Sequence, residues 1–218
     1  MKRKTLPRSG TRREPLSRDR IEIAALELIE QLGLEAFSTR KLGDMLGCEA
    51  MSIYHHFPSK AHILDALVDR VVSSAYVPSR DHDSVERLRG LARGWREMAL
   101  RYPRFFPMLA VHRINSETGV KYLNQILLAL RDAGLGRETA ARLFRVMAYF
   151  LMGAALDEIA GYAKGTSSLK PIGDAELAQR FPQIADAGEF FSPAHFDRTF
   201  EMGLDILLEG AGLLPRKR

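Results

Sequence analysis

Residues 38–60 read STRKLGDMLGCEAMSIYHHFPSK. Ser38 is a natural N-cap, its hydroxyl able to accept one of the orphan N–H groups of a helix start. Leu42, Met45 and Leu46 follow at spacings of three and four, which gives a short helix one apolar face. Gly43 lacks a side chain, so a second helix can cross closely there. Gly47 suits the left-handed residue that ends a helix. A second helix is expected from about Glu49 to His56, because Pro58 disfavours helix at the residue before it. Ile53 and Phe57 are its inward residues, and Met51, Ser52, Tyr54, His55 and His56 are left to point elsewhere. Two short helices, a tight turn and a polar-aromatic outer face describe a helix-turn-helix, whose second helix lies in the DNA major groove.

Outward from this stretch, the preceding segment supplies the third helix of the unit. Ile21, Ala24, Ala25, Leu28, Ile29 and Leu32 form a single stripe over 17–32, with Ser17 as N-cap and Gly33 as terminator. After Pro58, Ser59 caps a helix over 60–75 striped by Ile63, Leu64, Leu67 and Val71. This connecting helix is the obvious lever between the reading unit and the rest of the chain. The polar run VPSRDHDS, 77–84, marks the expected domain boundary.

Beyond it every periodic segment is helical. Helices are expected at 84–101, at 104–113 with Pro107 in the first turn, and at 116–133 with Val120, Leu123, Leu127 and Leu130 inward. The segment 137–162 is apolar on more than one face, so it must be buried on several sides. GTSSLKPIG, 165–173, is a loop, 175–181 a weak helix, and 193–213 a last helix with Phe196, Phe200, Leu204, Leu207 and Ala211 on one face. No period-two pattern persists and no repeat is visible. The fold class is all-α: an N-terminal three-helix unit and a larger helical domain.

Composition narrows the function classes. At 218 residues and 46% hydrophobic, the chain has room for a sizeable core. One cysteine, Cys48, excludes an internal disulfide and a multi-cysteine zinc site. No apolar run follows the basic N-terminus, so no signal peptide is expected. The longest uncharged apolar run, 146–156, is about 11 residues and too short for a bilayer. A cytoplasmic location and no membrane contact are expected. The net charge of +5 sits in the tails: residues 1–20 hold eight Lys/Arg against two acids, and 216–218 are all basic. The body is net acidic. A basic arm over 1–16 leading into a helix-turn-helix reads either as a phosphate or minor-groove contact or as a solvated terminus.

The window 34–71 resembles the N-terminal domain of the tetracycline repressor (TetR) family of bacterial regulators. The likeness rests on Phe37-Ser38-Thr39-Arg40-Lys41-Leu42, Leu46-Gly47, Ser52-Ile53-Tyr54-His55-His56-Phe57, Lys60 and Leu64. Beyond residue 75 the helix layout is similar to the C-terminal domain of the family's namesake. The resemblance implies a DNA-binding domain over 17–60, a connecting helix over 60–75 and an effector-binding, dimerising domain over 76–218. It implies a homodimeric repressor, its last two long helices pairing with those of a second copy. Double-stranded operator DNA and a small, largely apolar effector would be its partners, with no cofactor. Ligand binding would shift the connecting helix and release a palindromic operator. Matching positions imply that Thr39 and Arg40 touch phosphate or base, and that Ala50, Met51 and Ser52 face base edges. They also imply that Tyr54, His55, His56 and Lys60 lie against the backbone, Lys60 with a helix dipole behind it.

An apolar cavity needs aromatics, methionines and a few polar anchors. Trp95, Met98, Phe105, Phe106, Met108, Met147 and Phe150, with His112, Arg113, Asn115 and Asp157, are the effector candidates, though each also suits core packing. His55 and His56 diverge by about 100° on a helix and cannot share a metal. Cys48 reads as a small turn residue. No catalytic constellation appears at a telling spacing, so no enzyme is expected. An architectural DNA-binding protein without effector sensing is the alternative.

Overall fold

Ser17 opens the first helix by accepting the N–H of Arg20 on its hydroxyl, 3.2 Å away. In the computed structural model, which describes residues 15–112, 114–161 and 168–215, that helix is α1 (Arg18–Leu32). It buries Ile21, Ala24, Ala25, Leu26, Leu28 and Ile29, while Leu32 at the end of the stripe stays 46% exposed. The basic arm 1–16 falls almost wholly outside the described residues, as does the tail 216–218.

The chain divides into two compact units, 1–64 and 65–218, with the division inside α4 (Lys60–Ser73). In the first unit α1 packs on α2 (Thr39–Leu46), and α2 on α3 (Ala50–Tyr54). Phe37, Leu42, Ile53 and Phe57 are almost fully buried, so the inward residues expected from spacing are the core. Met45 is 40% exposed, and Leu42 with Gly43 carries the contact of α2.

The second unit is built around α5 (Ser84–Arg101), capped by Asp83, whose carboxylate accepts from the N–H of Val85 and Glu86. It packs on α7 (Glu117–Asp132) and α8 (Arg137–Ala160), burying Leu88, Leu91, Ala92, Trp95, Met98 and Ala99. The short α6 (Pro107–Val111) has proline at its first position, where no N–H is needed. After α8 come α9 (Asp174–Arg180), α10 (Pro182–Ala187), two 3₁₀ turns over 188–195 and α11 (Phe196–Gly210). No strand occurs among the described residues.

Three faces differ from expectation. On α7 the inward residues are Gly119, Tyr122, Ile126, Ala129 and Leu130, whereas Val120 is 51% exposed. Two apolar stripes run one position apart on this helix. The buried one carries Gly119, where a Cβ would meet the Ile114 side chain at 2.1 Å, and Ala129. On α11 the buried residues are Phe200, Leu204 and Leu208. On α8 one stripe is buried (Ala140, Leu143, Met147, Leu151, Ala155), but Val146 and Tyr149 are 43% and 62% exposed. Within a single chain this apolar helix is not covered on every side.

An arginine row on α5 holds α11. Arg93 grips Glu201 with two bonds of 2.7 and 2.9 Å, and Arg89 pairs with Asp205. Arg96 reaches Glu158 on α8 at 2.8 Å and Asp197 at 2.6 Å. Hydrogen bonding from Arg93 holds the Glu201 carboxyl below its ordinary range, against the opposing effect of its partial burial.

Candidate DNA-reading and effector sites

The reading unit is set by its caps and its close crossing. Ser38 accepts the N–H of Lys41 at 3.3 Å, and Gly47 sits in the left-handed region at φ 68°. A Cβ on Gly43 would come within 2.7 Å of the Cys48 carbonyl, so the turn into α3 needs glycine there. The second motif helix is shorter than its periodicity suggests, ending at Tyr54. Ile53 O then accepts both His56 N and Phe57 N, which turns His55 and His56 off the helix ahead of Pro58.

The candidate contact residues of the motif are exposed or half-buried. Arg40 and Met51 are exposed, Met51 at 64%, with Ala50 and Ser52 half-buried beside it. Tyr54 is 37% exposed, and its hydroxyl lies 3.1 Å from Thr39 Oγ1, so the phenol is located before any DNA arrives. His55 is exposed and His56 half-buried. Lys60 donates from Nζ to the Phe37 carbonyl at 2.8 Å and lies 5.2 Å from the Phe37 ring centre. An ammonium has three donors. The carbonyl takes one, and the charge stays fixed beside the start of α2.

Spacing did not single out two further cations. Lys41 Nζ bonds the Ala36 carbonyl at 2.9 Å. Arg18 bonds the His56 carbonyl at 2.6 Å and lies over the Phe57 ring at 4.1 Å. Each cation is tethered to a main-chain carbonyl at a joint of the motif, which suits a rigid phosphate-binding surface.

In the second unit a predominantly apolar cavity of about 450 Å³ opens between α5, α6, α7 and α8. Trp95, His112 and Met147 of the sequence candidates line it. Tyr122 and Ile126 of α7 and Phe144, Tyr149 and Met152 of α8 line it too, and sequence reading passed over them. The α7 stripe read from sequence included Leu123, which also lines the cavity, but not the first two. The other candidates lie elsewhere. Met98 and Phe105 are core residues, and Phe106 packs edge-on against Trp95 at 5.6 Å. Met108 is half-buried outside the cavity. Phe150 turns to α11 and stacks on Phe200 at 5.6 Å, across Gly203, where any Cβ would meet the ring at 2.4 Å. Asp157 is exposed, and Arg113 lies outside the described residues.

Polar groups in the cavity wall are few. The Tyr122 hydroxyl is buried and donates to Leu91 O at 3.1 Å, and burial pushes its pKa up. Trp95 Nε1 is buried without an acceptor. Arg145 Nε donates to the Tyr149 hydroxyl at 3.0 Å. His112 also borders a second hollow, of about 280 Å³, with Asp65, Asp69, Asn115 and Ser116. Its Nε2 is 3.1 Å from Asp65 Oδ1, and Ser116 donates to Asp69. Both carboxylates belong to α4. No cluster of three or more His, Cys, Asp or Glu able to hold a metal occurs among the described residues, and none of their helices is long and apolar enough to cross a membrane.

Comparison with known proteins agrees with this division. The profile of the tetR family of bacterial regulatory proteins matches residues 23–67. That of the tetracyclin repressor-like C-terminal domain matches 77–213. The class A tetracycline repressor protein from transposon 1721 of Escherichia coli is 30% identical over 190 residues, 86% of each chain. Among solved structures, a "possible TetR family transcriptional regulator" from Streptomyces coelicolor A3(2) superposes with a TM-score of 0.74 at 28% identity, over 89% of this chain and 98% of the other. The S. coelicolor TetR family protein ActR, in complex with actinorhodin, gives 0.70 at 26% identity over 90% and 97%. The ligand-bound relative disfavours a purely architectural role. The chain belongs to the TetR family of bacterial regulatory proteins, and it is a ligand-responsive DNA-binding transcriptional repressor rather than an enzyme.

Proposed function

We propose that two copies of this chain pair through α8 and α11, read a palindromic operator with residues 17–60, and release it when a small, largely apolar effector enters the cavity of residues 76–218. The observation that carries this reading is His112. It lines the effector cavity and bonds Asp65 on α4, and α4 begins with Lys60 at the reading surface. An effector that displaces His112 thereby acts on the helix that leads to the motif. Couplings of this kind are worth about 1–3 kcal/mol. The uncovered apolar side chains Val146 and Tyr149 on α8 and Met202 and Ile206 on α11 support the pairing. Thr39, Arg40, Tyr54, His55, His56 and Lys60 contact the DNA backbone, and Ala50, Met51 and Ser52 face bases. Action on DNA places the protein in the cytoplasm.

The test is operator selection from random duplexes, followed by footprinting. The proposal requires a two-fold symmetric site with half-sites about one helical turn apart or slightly more. Binding without sequence preference, with a steep salt slope, would instead mark an architectural protein. Asp65→Asn should leave ligand uptake intact and shrink its effect on operator affinity. Unchanged coupling in that variant would remove His112 from the path.

A further inference from the structure

Side chains able to tell one base from another are scarce on α3, whose sequence is AMSIY. Ile53 is fully buried and holds the unit together. The Tyr54 hydroxyl lies 3.1 Å from Thr39 Oγ1, placed for the DNA backbone. Ser52 is half-buried, and a hydroxyl both donates and accepts, so it discriminates poorly between bases. Glu49, just before the helix, is exposed and makes no cap bond, but a carboxylate only accepts and suits the cytosine amino group. Ala50 offers only a methyl. Met51 is 64% exposed, more than any other large hydrophobic residue described within 15–64. A single exposed methionine is ordinary on a protein surface. This one stands in the middle of the three residues assigned to base edges, and neither neighbour supplies a long polar group. The C5-methyl of thymine is the only methyl that the four base pairs present in the major groove.

Resting on the assignment of Ala50, Met51 and Ser52 to base edges, we propose that Met51 is a specificity-determining residue that reads the C5-methyl of one thymine in each operator half-site. The thioether is unbranched and polarisable, so it settles on a methyl without the strict geometry of a bidentate hydrogen bond. Ala50 ends at Cβ and leaves the approach open. The contact takes water from both the thioether and the methyl. Thymine is then preferred for its methyl rather than for its hydrogen-bonding edge. A cytosine methylated at C5 carries the same group in the same place, so methylation should raise affinity at that position.

The test starts from the operator selected from random duplexes. Each thymine of a half-site is replaced in turn by uracil, which removes the C5-methyl and leaves every hydrogen-bonding group in place. With the full-length wild type, one uracil position per half-site should weaken binding about fourfold, and the symmetric pair of replacements about sixteenfold. At that position 5-methylcytosine should bind about fourfold more tightly than cytosine. Met51→Ala should bind the thymine and uracil operators alike, and Met51→Leu, which keeps an apolar side chain, should restore the difference. Met51 is exposed, so neither substitution touches the core, and the modified-base measurements need no variant. Uracil tolerated at every thymine, no gain from 5-methylcytosine, or a uracil effect that survives in Met51→Ala would overturn the assignment and leave the repressor reading intact. Failure to select any symmetric operator would overturn the palindromic reading and this proposal with it.

Discussion

Removing the charge of Lys60 should weaken binding to every DNA sequence by the same factor. The reasoning begins with its place: Nζ is held on the Phe37 carbonyl at 2.8 Å, beside the capped start of α2 and far in character from the apolar face of Met51. A fixed ammonium at this position neutralises one phosphate per copy, hence two in the proposed dimer. Each phosphate contributes about 0.9 to the slope of log affinity against log salt, so the slope should fall by about 1.8. Between 50 and 200 mM salt, the wild type should then lose roughly twelvefold more affinity than the variant. At 100 mM the variant should bind about sixtyfold more weakly. Lys60 also anchors the Phe37 loop, so two substitutions are needed. Lys60→Ala removes charge and anchor together. Lys60→Gln removes the charge but keeps an N–H donor on a chain one atom shorter. Both should show the same slope in fluorescence anisotropy titrations, and Lys60→Ala alone should lose about 1 kcal/mol of thermal stability. An unchanged slope, or a changed ranking of operator variants, would show that Lys60 does not act as a non-specific clamp.

Gly43→Ala places a methyl 2.7 Å from a main-chain oxygen, so it should cost about 1–3 kcal/mol and abolish operator binding while the second unit keeps its melting transition. Ile206→Glu, on a residue 61% exposed in the single chain, should give monomers by sedimentation without loss of helicity; an intact dimer would exclude α11 from the interface. The lowered pKa of Glu201 means that the folded state favours its charged form. Its contribution is therefore fully present above the ordinary value of 4.5 and disappears as pH falls below it through the lowered folded value. Glu201→Gln should flatten the acid limb of a melting-temperature profile, and an unaltered limb would show that the Arg93 pair does not stabilise the fold.

The reading head was legible because each of its constraints is local. Ser38, Gly43, Gly47 and Pro58 act within a few residues of themselves, and the structure puts caps, crossing and turn where their chemistry requires. The cavity was less legible. Trp95 and Met147 announce an apolar wall by residue type alone. Which residues of α7 face them depends on partners distant in sequence: of the expected stripe Leu123 lines the cavity and Leu130 is buried, but Tyr122 and Ile126 share that wall and Val120 does not. The weak helix expected at 175–181 is α9, whereas α10 buries no residue and left no periodic signal to find. The tethers of Arg18, Lys41 and Lys60 are invisible for a related reason. A side chain that bonds a main-chain carbonyl needs no matching residue type, so no pattern betrays the pair.

The arginine row on α5 meets acids spaced every four residues on α11: Asp197, Glu201 and Asp205. Glu209 extends that row by one more turn. Sliding α11 by one turn would therefore offer Arg96, Arg93 and Arg89 a new set of carboxylates, Glu201, Asp205 and Glu209. Charge keeps the helix on its track but does not say where along the track it stops. The stop is apolar. Phe200 lies 4.9 Å beneath the Arg96 guanidinium and stacks on Phe150, and it has no equivalent one turn away, where Leu204 stands. One ring thus distinguishes two arrangements that electrostatics leaves nearly degenerate, and the packing of α11 on α8 depends on that ring staying in place.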